Sequence, residues 1–178
     1  MIVRTFALLL CLTSPGWASD WQMDREASAL TFSGTQSGTA FDGRFDNFDA
    51  EIRFDKDALN DAVITVTIDT ASAATGSADR DSTLPGADWF DVATHPTATF
   101  HATDVQETAM GYVANGSLTL KGAEHPVALP FTLEIDGDTA HATGEVTIDR
   151  TAYGVGTGAL STMVGTEVTI SFELVAVR

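Results

Sequence analysis

The four histidines are the residues best suited to acid–base or metal chemistry, because imidazole titrates near neutral pH and binds metals readily. His101 and His141 fall on the outward phase of alternating segments, while His95 and His125 each stand directly before a proline. None belongs to an H-E-x-x-H or comparable spacing, and the chain has no G-x-S-x-G or glycine-rich phosphate-loop motif. We therefore predict solvated histidines, no metal site, no cofactor and no catalytic residue.

Two arginines are the other candidates for chemistry. Arg80 lies between Asp79 and Asp81, and Arg150 directly follows Asp149. One interpretation is local ion pairing with these carboxylates, which contributes little where the pair is exposed. The alternative is that one or both arginines face the polar end of a bound molecule.

The charge balance restricts the partners of the chain. It has 25 acidic and 9 basic residues and a net charge of −16. Such a surface repels nucleic acid and anionic membranes, so neither is an expected partner. The aspartates between Asp42 and Asp61 indicate either an acidic solvated surface or calcium binding, but they lack the spacing of an EF-hand loop.

The first 18 residues resemble a cleaved signal peptide. Arg4 precedes an apolar segment, 6–12, which is too short to span a bilayer, and Gly16-Trp17-Ala18 offers small residues for cleavage before Ser19. A lipoprotein signal ending at Cys11 is the alternative, although Leu8-Leu9-Leu10 lacks the small residue expected there. The sequence thus predicts a cysteine-free single domain, 19–178, located in the periplasm, with no integral membrane span.

Strict alternation of apolar and polar residues dominates the remaining sequence, as in Val127, Leu129, Phe131, Leu133 and Ile135. Alternation describes strands with one buried and one solvated face, which is typical of antiparallel sheets. Gly43 or Asp46-Asn47 is expected to bend the second strand. We predict eight strands: 28–36, 40–54, 61–70, 96–106, 110–121, 125–136, 138–149 and 165–177.

Residues 71–95 show no alternation and are expected to form a lid. A short helix is predicted around 78–84, with Ser77 as its N-cap, and Trp89-Phe90 adds two large aromatic side chains.

Eight antiparallel strands permit either a closed barrel or a two-sheet sandwich. Small inward residues such as Ala114, Gly116 and Ala142 favour a barrel with internal space, although they also fit a tapered, filled interior.

A series of short motifs runs through the whole predicted domain: Trp21, Ser28-Ala29-Leu30-Thr31-Phe32, Gly43-Arg44-Phe45, Phe48 to Ile52, Arg80-Asp81, Leu84, Asp88-Trp89-Phe90-Asp91, His95-Pro96, Thr99-Phe100, Gly116 to Gly122, Asp149-Arg150 and Tyr153-Gly154. In this order and spacing, they resemble the YceI-like family of bacterial polyisoprenoid-binding proteins. Thr83 departs from the family pattern, which commonly has a histidine there, and Trp89 replaces a common phenylalanine.

The resemblance implies an all-β, eight-stranded antiparallel, lipocalin-like barrel with an apolar tunnel. Its implied ligand is a long-chain isoprenoid lipid, either a polyprenyl chain or an isoprenoid quinone, and a homodimer is a further implied partner. Arg80 and Arg150 are the candidate headgroup contacts. By inward phase or place in the lid, the predicted tunnel wall consists of Leu30, Phe32, Phe45, Ile52, Phe54, Ile64, Val66, Trp89, Phe90, Phe100, Tyr112, Leu118, Leu120, Phe131, Leu133, Tyr153, Ile170 and Phe172.

Two other functions remain open at the level of sequence. An enzyme acting on a small apolar substrate inside the barrel would need an inward-facing titratable residue, such as His101 or Asp88. A filled barrel that binds a protein partner through its acidic surface would have a solid interior. The carrier hypothesis requires a hollow, apolar interior instead.

Overall fold

A computed structural model describes residues 19–178, and the predicted signal peptide lies outside the described residues. The described chain is almost entirely antiparallel β-structure, as predicted. The strands are β1 (Ser19–Met23), β2 (Ala29–Gln36), β3 (Thr39–Phe45), β4 (Phe48–Phe54), β5 (Val63–Asp69), β6 (Ala73–Ala74), β7 (Thr97–Thr108), β8 (Gly111–Leu120), β9 (Ala123–Asp136), β10 (Thr139–Asp149) and β11 (Glu167–Val177).

Eight of these strands close into a barrel in the order β1-β4-β5-β7-β8-β9-β10-β11. Closure occurs because β1 pairs with β4 on one side and with β11 on the other, through Gln22 and Met23. Strands β2, β3 and β6 continue the sheet from β11 towards the lid. A closed barrel leaves no long open edge within this ring, and the sandwich alternative is excluded.

The predicted strands match the observed ones closely, with three differences. The short strand β6 lies within residues 71–95, where no strand was predicted. Strand β1 was not predicted, because five residues with one buried position, Trp21, are too few to show alternation. The predicted strand 40–54 is divided at Asp46-Asn47, while Gly43 lies within β3 and does not bend the chain. A Cβ atom on Gly43 would lie 2.3 Å from the Phe32 ring, so close packing explains this glycine.

Two-residue turns join several neighbouring strands. Lys121 and Gly122 both have positive φ, at 50° and 78°, as a type I′ hairpin turn requires. Gly137, at φ 61°, similarly begins the β9–β10 turn, which was the strongest hairpin signal in the sequence. These turns fix which side chains of each strand point into the barrel.

The lid contains one short helix, α1 (Ala78–Thr83), close to the predicted segment. Ser77 occupies the N-cap position, but its side chain makes no capping hydrogen bond. Instead, the Asp81 carboxylate accepts hydrogen bonds from the backbone N–H and the hydroxyl of Thr75, at 2.7 and 2.6 Å. The chain before the helix is thereby attached to the helix itself.

The wall between β9 and β10 is only partly hydrogen-bonded. Pairing of the two strands ends at Phe131 and Gly144, directly before Pro130. Counting along β9 from the Leu120–Ala123 hairpin pair, Pro126 and Pro130 have their backbone nitrogen on the β10 side. Proline has no N–H to donate, so residues 123–130 of β9 and 145–149 of β10 form an unpaired seam between the two strands.

In the described residues, no helix has the length and apolar character needed to cross a bilayer.

Candidate ligand-binding site

The barrel interior contains a cavity of about 420 Å³ beneath the lid. Phe32 and Phe45 form its floor on β2 and β3, and Trp89 and Phe90 reach it from the lid. The Phe45 and Phe90 ring centroids are 6.0 Å apart, and those of Phe32 and Phe45 are 5.1 Å apart. Aromatic packing therefore holds the lid against β3. We refer to this space as the lid cavity.

A second cavity of about 140 Å³ lies deeper in the barrel, and we refer to it as the deep cavity. Every side chain that lines it is aliphatic or aromatic. The one indole N–H among them, on Trp21, is directed to the Phe54 carbonyl at 3.0 Å. Burial of a hydrocarbon in such a space gains about 25 cal/mol per Å² of apolar surface and requires no polar partner.

The two cavities lie end to end along the barrel. Ile68, Leu118 and Ile170 line both of them, so only these side chains mark the boundary. The interior is thus hollow rather than filled, as the carrier hypothesis requires. A filled barrel, which was the condition for the protein-interaction alternative, is not observed.

All but two of the predicted wall residues line one cavity or both; that they contact a ligand stays a prediction. Those in the lid cavity are Phe32, Phe45, Trp89, Phe90, Leu118, Leu120 and Ile170. Those in the deep cavity are Leu30, Ile52, Phe54, Ile64, Val66, Phe100, Leu118, Phe131, Leu133, Ile170 and Phe172.

Tyr112 is the first exception, and its placement on the tunnel wall is corrected. It points inward as its phase predicts, but its ring stacks against Phe131 at 5.5 Å and meets the edge of Phe54 at 5.3 Å. Phe54 and Phe131 both line the deep cavity, whereas Tyr112 lines neither cavity and instead packs against these two wall residues.

Tyr153 is the second exception. It is buried, with 4% of its surface exposed, but it lies in a groove at the seam between β9 and β10. Its ring meets His125 edge-on at 4.9 Å, and His125 bonds the Ala152 carbonyl at 3.1 Å. Burial raises the pKa of Tyr153. The residue closes the outside of the seam because the short 3₁₀ helix Arg150–Tyr153 is packed there.

Arg150 lines the lid cavity, but its donors are used within the protein. The side chain is 3% exposed and its guanidinium donates to the carbonyls of Gly165, Val155, Gly156, Ser161 and Val164 at 2.6–3.0 Å. An arginine has five N–H donors. All are therefore directed to backbone, which corrects the prediction that Arg150 binds a headgroup.

Arg150 carries its charge in an unusual setting. Burial lowers its pKa, and the neighbouring Asp149 raises it in part. Asp149 accepts hydrogen bonds from Thr151 instead, at 2.8 and 2.6 Å, so the predicted local ion pair does not form. Carbonyl dipoles and the Trp89 ring, 5.7 Å from the guanidinium carbon, surround the cation. Arg150 thus fixes the loop that borders the cavity mouth.

Arg80 is placed differently, at the polar side of the lid cavity. It donates from Nε to Thr75 at 3.0 Å and from Nη1 to Gln36 at 3.2 Å, and it lies over the Phe41 ring at 4.8 Å. No ion pair joins it to a carboxylate in the described residues, whereas Arg25, for example, pairs with Asp49 on the surface. Its Nη2 donors have no protein partner within the described chain. Of the two arginines that line the lid cavity, Arg80 is therefore the one whose side chain retains N–H donors without a protein partner in the described residues.

Several wall residues were not included in the predicted site. Val127, Leu129 and Val146 line the deep cavity on the inward phase of β9 and β10, a signal already visible in the alternation. Val155, Leu160 and Val164 line the lid cavity from the irregular loop after Tyr153. That loop has no periodicity, so nothing local indicated that these side chains turn inward.

Neither of the two residues named for the enzyme alternative, His101 and Asp88, faces a cavity, although Asp79 lines the lid cavity. His101 is exposed and bonds the Thr65 hydroxyl at 3.0 Å on the outer surface, and Asp88 lines neither cavity. Within residues 19–178, no three His, Cys, Asp or Glu side chains are grouped so as to hold a metal ion. The interior instead combines an apolar deep cavity with a lid cavity that has polar side chains on one side.

Comparison with known proteins agrees with this arrangement. The model of the YceI-like domain matches residues 21–176, nearly the whole described chain. The chain belongs to the YceI-like family. Among curated members, it is 32% identical to a UPF0312 protein of Pseudomonas aeruginosa over 146 residues, covering 78% of this chain and 76% of that protein. It is 34% identical to Protein YceI of Salmonella agona over 137 residues, with 75% and 72% coverage.

Solved structures of other bacterial proteins share the fold. Burkholderia cenocepacia BcnA superposes with a TM-score of 0.80 at 34% identity, covering 86% of this chain and 98% of that one. A polyisoprenoid binding domain from Saccharophagus degradans, implicated in plant cell wall breakdown, gives a TM-score of 0.70 at 19% identity, with 92% and 99% coverage. The second likeness concerns the fold alone.

Proposed function

We propose that this YceI-like protein binds an isoprenoid lipid inside its barrel and carries or stores it in the periplasm. The observation that carries the proposal is the pair of contiguous cavities, of which the deeper has a wholly apolar lining. The ligand is a polyprenyl chain or an isoprenoid quinone, and the protein acts as a binder rather than an enzyme. The signal-like segment 1–18 supports the periplasmic location.

The division of the interior supports a ligand with two chemically different ends. An apolar tail fits the deep cavity, where every lining side chain is apolar. The lid cavity adds Arg80, Thr75 and Gln36 on one side. We propose that Arg80 contacts the lipid headgroup, since its Nη2 donors have no protein partner in the described chain and charged donors form strong hydrogen bonds.

Native mass spectrometry of protein purified from its host without detergent tests the proposal directly. A bound mass that is released by organic solvent and identified as a prenyl lipid is the expected result. A ligand-free protein that also fails to take up added prenyl alcohol or ubiquinone would exclude the carrier function.

A cavity-filling variant links binding to the interior. Ile170→Trp places a large ring at the boundary of the two cavities, while Glu173→Trp places the same ring on the exposed face of the same strand. Overpacking costs about 1–3 kcal/mol, so unfolding curves of both variants accompany the measurement. Loss of lipid uptake is expected for Ile170→Trp alone. Equal uptake by both variants would show that the lipid binds elsewhere.

A further inference from the structure

A groove on the outer surface follows the seam between β9 and β10, and we refer to it as the seam groove. Its volume is about 470 Å³, and it is lined by residues 125–128 of β9, residues 146–149 of β10, Ala152 and Tyr153. Asp149 is the one carboxylate among these residues, and it accepts hydrogen bonds from Thr151 at 2.8 and 2.6 Å. The seam groove is thus largely apolar, although the chain carries a net charge of −16.

Three side chains border both the seam groove and the barrel interior. Val127 and Val146 also line the deep cavity, and Ile148 also lines the lid cavity. Between paired strands, a ladder of backbone hydrogen bonds separates the inner face of a sheet from the outer one. The pairing of β9 with β10 ends at Phe131 and Gly144, so packing of side chains closes the wall along the seam.

The sequence keeps this part of the wall unpaired. The backbone nitrogens of residues 126, 128 and 130 face β10, but Pro126 and Pro130 have no N–H, so only Ala128 offers a donor. The neighbouring strands are paired in this region, β9 with β8 and β10 with β11. Strands β9 and β10 can therefore separate at the seam without the loss of ladder hydrogen bonds.

The mouth beneath the lid, by contrast, is held by several contacts. The Phe45 and Phe90 rings pack at 6.0 Å, Arg80 donates to Gln36 at 3.2 Å, and Arg150 secures the adjoining loop. A lipid entering there would disrupt these contacts and pass lengthwise through the lid cavity to reach the deep cavity. The seam borders both cavities, so a chain that enters through it reaches each of them sideways.

We propose that the seam is a lateral portal through which the isoprenoid tail enters and leaves the barrel, with the seam groove as its first binding site. Val127 and Val146 move apart as the tail passes, while the contacts of Arg80 with Thr75 and Gln36 stay in place. Such a portal sets the rates of uptake and release but not the affinity, because only the barrier between the free and bound states depends on it. The inference rests on the proposed lipid-binding function.

A cross-link across the seam tests the portal. Ala128→Cys combined with Thr147→Cys places an exposed thiol on each strand, and bismaleimidoethane joins the two. The predicted mature chain has no other cysteine, since Cys11 precedes the cleavage site. Uptake of geranylgeraniol and of ubiquinone-2 is followed by stopped-flow fluorescence of Trp21 and Trp89, which line the two cavities. We expect the cross-link to slow uptake by about tenfold or more, relative to the same variant capped with N-ethylmaleimide, at an unchanged dissociation constant.

Thr132→Cys combined with Thr143→Cys is the matched control on the same two strands. These residues are paired, and their exposed hydroxyl oxygens lie 2.9 Å apart. The same reagent therefore joins β9 to β10 where the strands are already held together. This cross-link is expected to leave the rate of uptake unchanged.

Val146→Ala tests the portal without a cross-link. It removes two methyl groups from a side chain that borders both the seam groove and the deep cavity. Val66→Ala removes the same groups from the wall of the deep cavity at β5, where β5 is paired with both β4 and β7. Severalfold faster uptake is expected for Val146→Ala only, and unfolding curves verify that both variants are folded.

The outcomes separate the portal from the function on which it rests. If the wild-type protein takes up neither lipid, the lipid-binding function and the portal both fail. If the seam cross-link leaves uptake unchanged, or if both cross-links slow it equally, lipid binding stands and the portal is overturned. Equal rates for Val146→Ala and Val66→Ala would overturn it as well. Slower uptake with the seam cross-link only, at unchanged affinity, supports the proposal.

Discussion

Arg150 donates a hydrogen bond of 2.7 Å to the backbone carbonyl of Val164, fourteen residues further along the chain. Together with its bonds to Val155 and Gly156, this contact secures an irregular loop at the rim of the lid cavity. The loop has no strand partner over most of its length, so one side chain replaces the backbone pairing that the rest of the barrel uses. A buried cation thereby serves the architecture of the site rather than the ligand.

Removal of this guanidinium is expected to destabilise the whole domain. Arg150→Met retains an apolar stem but leaves two buried and three partly buried carbonyls without this donor, and each buried one costs about 1–3 kcal/mol. We expect a loss of about 3 kcal/mol or more in the free energy of unfolding, measured by urea denaturation. Arg25→Met, which removes an exposed pair with Asp49, should cost less than about 1 kcal/mol. Equal losses in the two variants would contradict the role assigned to Arg150.

Arg80 is expected to affect ligand choice rather than overall stability. If its Nη2 donors bind an anionic headgroup, Arg80→Gln lowers the affinity for geranylgeranyl phosphate by about tenfold or more, since a hydrogen bond to a charged group is worth about 1.5–3 kcal/mol. The affinity for geranylgeraniol, which has the same tail, should change little. Competitive titration with both lipids measures the difference. A parallel fall for both would assign Arg80 to the wall alone.

Gly43 is expected to tolerate no side chain. A Cβ atom there would lie 2.3 Å from the Phe32 ring, which lines the lid cavity. Gly43→Ala should therefore push Phe32 into the cavity, lower the unfolding free energy by about 1–3 kcal/mol and weaken lipid uptake. Gly34→Ala is the control in the preceding strand, because its nearest neighbour, the Phe41 ring, is 3.2 Å away and partly exposed. Unfolding curves that coincide for the two variants would argue against the clash.

The attachment of the lid by Asp81 should depend on pH. Hydrogen bonds from the Thr75 hydroxyl and backbone hold the pKa of Asp81 below its ordinary value of 3.8. A depressed carboxyl pKa contributes stability that is fully present above the unfolded value and is lost as the pH falls through the folded one. The stability difference between wild type and Asp81→Asn is thus expected to be constant near neutral pH and to shrink in acid below about pH 4. Thermal unfolding of both proteins across this range measures it, and a difference that grows in acid would contradict the sign.

Alternation in the sequence was sufficient to predict most strands and most of the wall, because a period of two directly encodes which side chains face inward. The choice of a barrel over a sandwich came from the resemblance to the YceI-like family. Other features depend on contacts that have no period. Arg150 finds its carbonyl partners in a loop without pattern, and Tyr112 contacts Phe54, which comes from a distant strand. The local pattern predicted that Tyr112 points inward but not that it packs against other rings instead of lining a cavity.

The seam between β9 and β10 could have been read from the sequence, because Pro126 and Pro130 are four residues apart and share one side of the strand. The last hydrogen-bonded pair of the two strands is Phe131 and Gly144. Beyond it, the backbone N–H groups of Ala128 and Thr147 face the seam and have no partner in the pairing of β9 with β10. We expect these two amides to exchange with solvent deuterium far faster than that of Thr143, which lies within the paired half. Residue-resolved hydrogen exchange by NMR measures this. If Ala128 and Thr147 are as protected as Thr143, the strands are paired along their full length and the seam does not exist in solution.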